Sequence, residues 1–126
     1  MVELVVRNTQ SRGLGVFATQ RFEKGELIEC CRVIVIPRTE ISLGTGIVSV
    51  LRHYVVEWDT KLAIPTGYGC YYNHSYQPNA IHQKHLDLGE IHFHALVDIL
   101  PYDEITFNYG GLPSYNEPLW FDVKDL

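Results

Sequence analysis

Asn73–Asn79 (NHSYQPN) and Glu104–Gly110 (EITFNYG) are the two stretches that decide the fold of this chain. The second stretch alternates between apolar and polar side chains and ends at a glycine, as a core strand does. The first has the composition of a polar turn, and the preceding Tyr71 and Tyr72 indicate that the turn is partly buried. Buried polar groups need hydrogen-bond partners, so the turn is a candidate site. Taken alone, the first stretch could also be an ordinary polar turn without a functional role, and the second could be an ordinary core strand.

A third stretch, Arg12–Ala18 (RGLGVFA), formally fits the G-x-G-x-x-A fingerprint of dinucleotide-binding folds. That fingerprint requires a helix directly after it, whereas Lys24-Gly25 is a turn signal and a strand pattern follows. The dinucleotide interpretation is therefore rejected. Two alternatives remain: a tight turn between strands, or glycines that let the backbone approach a bound ligand closely.

In their order and spacing, the three stretches resemble the motifs of the SET-domain protein-lysine methyltransferases, and the resemblance runs from about residue 3 to residue 111. It implies a mostly β fold of the β-clip type, with several small sheets and a pseudo-knot at the C-terminal motif. Residues 1–111 would form the SET domain, with a variable helical insert at about 40–62. The tail, residues 112–126, would close the substrate channel. The chain resembles the minimal SET proteins that occur as stand-alone domains in bacteria and large viruses.

The resemblance also implies roles for individual residues. Tyr109 would be the catalytic tyrosine of a methyl transfer from S-adenosylmethionine (SAM) to a protein lysine. The residues implied to contact SAM are Gly13, Leu14, Gly15, Asn73 and His74. Phe107 would line the lysine channel, where phenylalanine is associated with more than one methylation. The further aromatic candidates for this channel are Tyr72, Tyr54 and Tyr115. Asn79 is expected to hold the active-site fold together.

Composition sets limits on the class of protein. The chain has 126 residues, 46% hydrophobic and 20% charged, which suits one globular domain. A net charge of −5 argues against direct binding to nucleic acid and is compatible with a basic, lysine-containing protein partner. The start Met1–Leu4 lacks the features of a signal peptide, and the apolar run Val33–Ile36 is too short to span a membrane. We therefore expect an intracellular protein, cytoplasmic or, if it acts on chromatin, nuclear.

The hydrophobic pattern predicts six strands, over residues 2–7, 15–19, 26–36, 80–86, 90–97 and 104–109. Asp87-Leu88-Gly89 is a plausible hairpin turn, with Gly89 supplying a positive φ. Apolar residues between Ile47 and Trp58 recur near helical spacing, which predicts one short helix there. Tyr102 stands where the SET family often has glycine, so the geometry of its turn is expected to differ.

Four histidines are candidate metal ligands. His92 and His94 share a strand face, and His82 and His85 lie on the expected partner strand, which is a pattern able to bind zinc or another divalent ion. No carboxylate is obviously placed to complete it, and we predict no metal. The three cysteines fit reduced thiols better than a disulfide framework.

Two alternatives to the enzyme remain. One is a catalytically silent SET-like module that binds peptides, against which the presence of Tyr109 and Asn73-His74 argues. The other is a small β metal protein that uses the histidines. The chain lacks the flanking cysteine clusters of many SET relatives, so the lysine channel must be closed by Tyr115 and Trp120 or by the partner in a homodimer.

Overall fold

The computed structural model describes residues 3–40, 54–114 and 116, and this part of the chain is built mainly of short strands. A single 3₁₀ turn, Arg38–Glu40, is the helical element among the described residues. The mostly β prediction is confirmed. The strands are β1 (Leu4–Asn8), β2 (Leu14–Ala18), β3 (Leu27–Ile36), β4 (Val56–Trp58), β5 (Lys61–Pro65), β6 (Asn73–His74), β7 (Ala80–His85), β8 (Glu90–Ala95) and β9 (Glu104–Phe107).

One sheet joins the three motif stretches. Its four strands lie in the order β1-β2-β9-β6, with β2 antiparallel to both β1 and β9. Val16 of β2 faces Ile105 of β9. On the other side of β9, β6 runs parallel, with Asn73 beside Thr106 and His74 beside Phe107. Residues far apart in sequence thus meet around β9, as the resemblance implies.

The second sheet carries the long strand β3 at its centre. Five strands lie in the order β4-β5-β3-β8-β7, and all neighbours are antiparallel. The β7–β8 hairpin turns at Gly89, whose φ of 65° confirms the predicted left-handed position. Along β8 the buried side chains of Ile91, Phe93 and Ala95 alternate with partly exposed ones, so one face of this sheet packs on the core.

The core is formed between the two sheets. Val16 and Ile105 contribute from the first sheet, Ile91 and Phe93 from the second, and each is completely buried. Burying a side chain of this size contributes about 1.5–3 kcal/mol relative to leaving it exposed. This shared core fixes the edge of the first sheet, where the polar residues of β6 and β9 lie.

The helical insert predicted at about 40–62 is wrong where the structure describes it. Val56–Trp58 is a strand, and it pairs with Lys61–Pro65 through a turn in which Asp59 has a φ of 56°. Trp58 is buried and Glu57 exposed, an alternation that a three-residue strand is too short to reveal in the sequence. Residues 41–53 of the same prediction lie outside the described residues.

Tyr102 adopts a conformation that suits glycine better. Its φ is 71°, in the left-handed region, and its side chain is 77% exposed. Its backbone amide donates a 2.7 Å hydrogen bond to the carbonyl of Ala18, which holds the turn before β9. The expected departure from the family pattern is therefore a strained residue in an otherwise ordinary turn.

The described residues contain no helix that is long and apolar enough to cross a membrane.

Candidate active site

A polar cluster forms where the three motif stretches meet. The side-chain amide of Asn73 donates to the carbonyl of Leu14, at 3.0 Å, and to Oε2 of Glu104, at 2.7 Å. The other oxygen of Glu104 accepts a hydrogen bond from Arg12, and the two side chains form an ion pair. Arg12 also donates to the backbone carbonyl of His74, at 3.2 Å. Each of the three stretches therefore contributes a charged or amide side chain to one small volume.

Gly15 leaves the room that this cluster occupies. A Cβ atom there would lie 2.6 Å from Oε2 of Glu104 and 3.0 Å from the amide nitrogen of Asn73. Gly13 has a different constraint, since its φ is 71° and nothing lies within 4 Å of a Cβ at that position. The two glycines of the motif are thus required for separate reasons, one for space and one for backbone conformation.

Tyr109 is bound to the Asn-His stretch at two points. Its hydroxyl donates to the backbone carbonyl of Tyr72, and its backbone amide donates a 2.9 Å hydrogen bond to Nδ1 of His74. His74 therefore uses Nδ1 as an acceptor, which places the proton of the neutral ring on Nε2. Burial, and secondarily the charge of Arg12, lowers the pKa of His74 and favours this neutral form. Its Nε2 is buried without a hydrogen-bond partner among the described residues.

Aromatic rings surround Tyr109 on the core side. The ring of Phe107 lies 4.9 Å from that of Tyr109 and 5.2 Å from that of Phe93, between centroids. The ring of Tyr72 is 1% exposed and packs 4.5 Å from Phe93, and its hydroxyl donates a 2.8 Å hydrogen bond to Glu29. Burial, with the charge of Glu29, raises the pKa of Tyr72 far above its usual value. Tyr72 thus presents its backbone carbonyl to Tyr109, and its ring belongs to the core.

The remaining channel candidates are placed unequally. Tyr54 is 37% exposed and packs edge-on against Tyr71, with 6.5 Å between ring centroids. Tyr115 lies outside the described residues. The structure brings Leu14 and Gly15 beside Asn73, and it places the predicted catalytic Tyr109 against His74 and the predicted channel residue Phe107. The wall that would close the channel above them falls within the tail, of which only residues 112–114 and 116 are described.

Sequence reasoning missed Arg12 and Glu104 as parts of the site. Both residues stand inside the quoted motifs, and their opposite charges are a signal, but their pairing depends on the register of β2 against β9. Asn79 has the structural role expected of it. Its side chain donates to the carbonyl of Glu104, at 2.8 Å, and accepts from the amide of Thr106, at 2.9 Å, which fixes β9 beside the turn.

The four candidate histidine ligands do not form one cluster. His82 faces the core, with its ring 5.0 Å from Phe107 and 6.3 Å from Phe93. Burial, and secondarily the charge of Lys84, lowers the pKa of His82 to about 4. His85 lies on the opposite face of the same strand, because residues three apart on a strand point to opposite faces.

The fold and the polar site define a SET-domain protein. The family model described as "SET domain" matches residues 13–110, which is most of the chain, and the chain belongs to this family. Among curated relatives, it is 28% identical over 120 residues to "Histone-lysine N-methyltransferase, H3 lysine-37 specific" of Schizosaccharomyces pombe, covering 94% of this chain and 77% of the relative. It is 29% identical over 129 residues to "Variant-silencing SET domain-containing protein" of Plasmodium falciparum, covering 90% of this chain and 5% of that much longer relative.

A solved structure agrees with this assignment. The chain superposes on the crystal structure of a candidate histone methyltransferase from Plasmodium falciparum with a TM-score of 0.72 and 31% sequence identity. The match covers 87% of this chain and 95% of that one. The family and its named relatives support a protein-lysine methyltransferase activity.

Proposed function

We propose that the chain is a SAM-dependent methyltransferase that modifies the side-chain amine of a lysine in a protein substrate. The observation that carries the proposal is the pairing of β6 with β9. It sets the hydroxyl of Tyr109 against the carbonyl of Tyr72, directly beside the polar cluster of Asn73. One short strand pair thus joins a candidate cofactor pocket to a candidate reaction centre.

The polar cluster suits the amino-acid end of SAM, which carries one carboxylate and one ammonium group. Arg12 offers a cation for the carboxylate, and Glu104 and the carbonyl of Leu14 offer acceptors for the ammonium. Gly15 keeps the backbone open at this point. The buried Nε2 of His74 lies in the same stretch and has no partner among the described residues. When bound, SAM supplies a methyl group activated on a sulfonium.

The acceptor lysine must be neutral to attack. At pH 7 a free lysine of pKa about 10.4 is deprotonated at a cost of about 4.6 kcal/mol, which is 3.4 pH units at 1.36 kcal/mol each. Dry aromatic surroundings lower this cost because they disfavour the charged amine. Phe107 packs against Tyr109, and Phe93 lies behind it in the core, so these two buried rings can provide such surroundings. These rings also exclude water and align the amine for transfer.

Tyr109 orients the reaction and does not serve as the base. Removal of its hydroxyl from water raises the pKa of Tyr109 above its usual value of 10, against the opposing effect of Arg12. The hydroxyl therefore stays protonated, and it is held on the carbonyl of Tyr72. Its oxygen, together with such carbonyls, can accept weak C–H···O contacts from the methyl group during transfer. The proton of the lysine leaves to water.

The substrate is proposed to be a basic, lysine-containing protein. The chain carries a net charge of −5, which favours encounter with positively charged segments. The curated relative from Schizosaccharomyces pombe is named for a histone lysine, and a histone tail has this character. We therefore propose an intracellular location, which would be the nucleus if the substrate is a histone.

The first experiment is a calorimetric titration of the protein with SAM, followed by transfer of a labelled methyl group to a lysine-rich peptide. We expect one SAM per chain, label on lysine, and a markedly weaker binding of SAM by the variant Asn73→Ala. The surface variant Gln83→Ala, on the exposed face of β7, is the matched control. Absence of binding, both alone and with the peptide present, would contradict the proposal.

The silent peptide-binding module predicts a different outcome of the same experiment. Such a module would bind the peptide without SAM and would transfer no label. Saturable SAM binding that disappears in Asn73→Ala, together with transferred label, rejects it.

A further inference from the structure

A thiol, a carboxylate and an imidazole converge on the outward face of the second sheet. Cys30 of β3 lies opposite His92 of β8 in the strand register. Oε1 of Glu90 is 3.3 Å from Sγ of Cys30 and 3.0 Å from Nε2 of His92, and the three ligand atoms all lie within 4.8 Å of one another. This face is opposite to the one that buries Ile91 and Phe93, so the cluster is separate from the candidate active site.

The spacing of these atoms fits a tetrahedral metal ion. With zinc bond lengths of about 2.3 Å to sulfur and about 2.1 Å to nitrogen and oxygen, neighbouring ligand atoms in a tetrahedron lie about 3.4–3.6 Å apart. The two measured separations, 3.0 and 3.3 Å, are within a few tenths of an ångström of those values. Binding an ion therefore requires only small side-chain movements of Cys30, Glu90 and His92.

His85 lies beside this cluster. It is the cross-strand neighbour of Glu90 on β7, and its ring lies 4.0 Å from the ring of His92. Its Nε2 is buried and has no hydrogen-bond partner among the described residues. His85 therefore packs against the ring of His92 and helps to hold it beside the carboxylate and the thiol, without being one of the three ligands.

We propose that Cys30, Glu90 and His92 bind one Zn²⁺ ion, with a water molecule in the fourth position. A thiolate combined with imidazole favours zinc over calcium or magnesium, which prefer oxygen ligands. Binding replaces the thiol proton of Cys30 with the metal and releases that proton to solvent. Arg32 faces Glu90 across the same strand pair. Its positive charge repels the metal ion and therefore lowers the affinity of the site for Zn²⁺.

The ion would tie together two strands of the second sheet. Its ligands come from β3 and β8, which are neighbours in the sheet, although Cys30 and Glu90 are 60 residues apart in sequence. A metal that binds only the folded chain raises the midpoint of thermal unfolding in proportion to the logarithm of its free concentration. The role inferred is therefore structural, and it is independent of the proposed methyl transfer.

Cobalt is the most direct probe, since Co²⁺ takes the place of zinc and shows whether a thiolate is bound. We expect the reduced full chain to bind one Co²⁺ with tetrahedral visible bands and a sulfur-to-cobalt charge-transfer band, and Zn²⁺ to displace it. In Cys30→Ser the charge-transfer band disappears, and in His92→Asn the affinity falls at least tenfold. Cys70→Ser, which removes a thiol outside the cluster, keeps the complete spectrum.

The unfolding temperature gives a readout that does not depend on spectra. Added Zn²⁺ is expected to raise it for the wild-type chain and for Cys70→Ser, and not for Cys30→Ser. Because Cys30 is exposed, its replacement leaves the fold intact, which circular dichroism verifies. No charge-transfer band in the wild-type chain, or one that survives in Cys30→Ser, would overturn the proposal.

Discussion

The backbone amide of Tyr109 donates a 2.9 Å hydrogen bond to Nδ1 of His74, so the proposed catalytic residue and the proposed cofactor stretch are directly bonded. A second hydrogen bond, from the hydroxyl of Tyr109 to the carbonyl of Tyr72, closes a small ring of contacts between β6 and the end of β9. The first bond joins the backbone of Tyr109 to the imidazole of His74, and the second joins its hydroxyl to the backbone of Tyr72. The position of Tyr109 is thereby set by the fold and not by its side chain alone.

Tyr109→Phe tests the role of the hydroxyl. The backbone bond to His74 persists in this variant, so we expect an intact fold and an almost unchanged affinity for SAM. The rate of methyl transfer should fall by about 100-fold, because the hydroxyl no longer orients the reacting groups. Single-turnover transfer of labelled methyl measures the rate, and calorimetry measures SAM affinity. A variant with full activity would remove Tyr109 from the mechanism.

Gly15→Ala tests the pocket beside Asn73. The added Cβ would meet Glu104 and Asn73, so the carboxylate must move away from the amide that it orients. Loss of a hydrogen bond to a charged group costs about 1.5–3 kcal/mol, and we expect SAM to bind at least about tenfold more weakly. The measurement is calorimetric titration with SAM.

Gly89→Ala is the matched control for this substitution. It also adds one methyl group to a glycine, but in the β7–β8 turn, where φ is 65° and no atom lies within 4 Å. It should lower the free energy of unfolding by about 1–2 kcal/mol and leave SAM affinity as it was. Equal SAM affinities in the two variants would show that the space at Gly15 does not serve the cofactor.

Phe107→Tyr tests the channel assignment. Phe107 packs between Tyr109 and Phe93, and a hydroxyl added there would occupy space and hydrogen-bond beside the acceptor amine. We expect the products to shift toward monomethyl-lysine. Mass spectrometry of a peptide substrate at equal extents of reaction gives the distribution. Identical distributions for the variant and the wild type would mean that Phe107 does not line the channel.

His82 makes the fold sensitive to acid. The unfolded chain takes up a proton at His82 near pH 6.5, whereas in the folded chain the pKa of His82 is lowered to about 4. The unfolded state therefore binds more protons between these values, and stability falls as the pH drops from 6.5 to 4. A difference of 2.5 pH units corresponds to about 3 kcal/mol at most.

His82→Phe should remove part of this loss. Denaturant unfolding of both proteins at a series of pH values between 4 and 7 gives the comparison. As the pH falls, the unfolding free energy of the variant should decrease less than that of the wild type. A difference that is constant across this range would place the acid sensitivity elsewhere.

The parts of the fold that sequence predicted are those with local signals. The alternation in β8 and the glycine of the β7–β8 turn are signals carried by residues that are adjacent in sequence, and the structure confirms both. The strand Val56–Trp58 was mistaken for helix, because three residues are too few to establish an alternation and nearby apolar residues fell at helical spacing.

The site was predictable to a similar degree. The resemblance predicts Asn73, His74 and Tyr109 as site residues, and in the structure His74 is hydrogen-bonded to Tyr109 while Asn73 is hydrogen-bonded to Glu104. The ion pair of Arg12 with Glu104 depends on the register between β2 and β9. This register cannot be derived from a single sequence. The convergence of Cys30 with Glu90 has the same origin, since it depends on how β3 pairs with β8.

The parallel pair of β6 and β9 also bears on how the protein folds. It joins residues about thirty positions apart, and the whole β7–β8 hairpin lies between them in the sequence. The entropy of closing so long a loop must be overcome before the pair gains its hydrogen bonds, which delays such contacts in folding. During synthesis, β6 therefore waits for its partner until β9 has been made. The proposed catalytic centre therefore forms only after most of the chain has been synthesised.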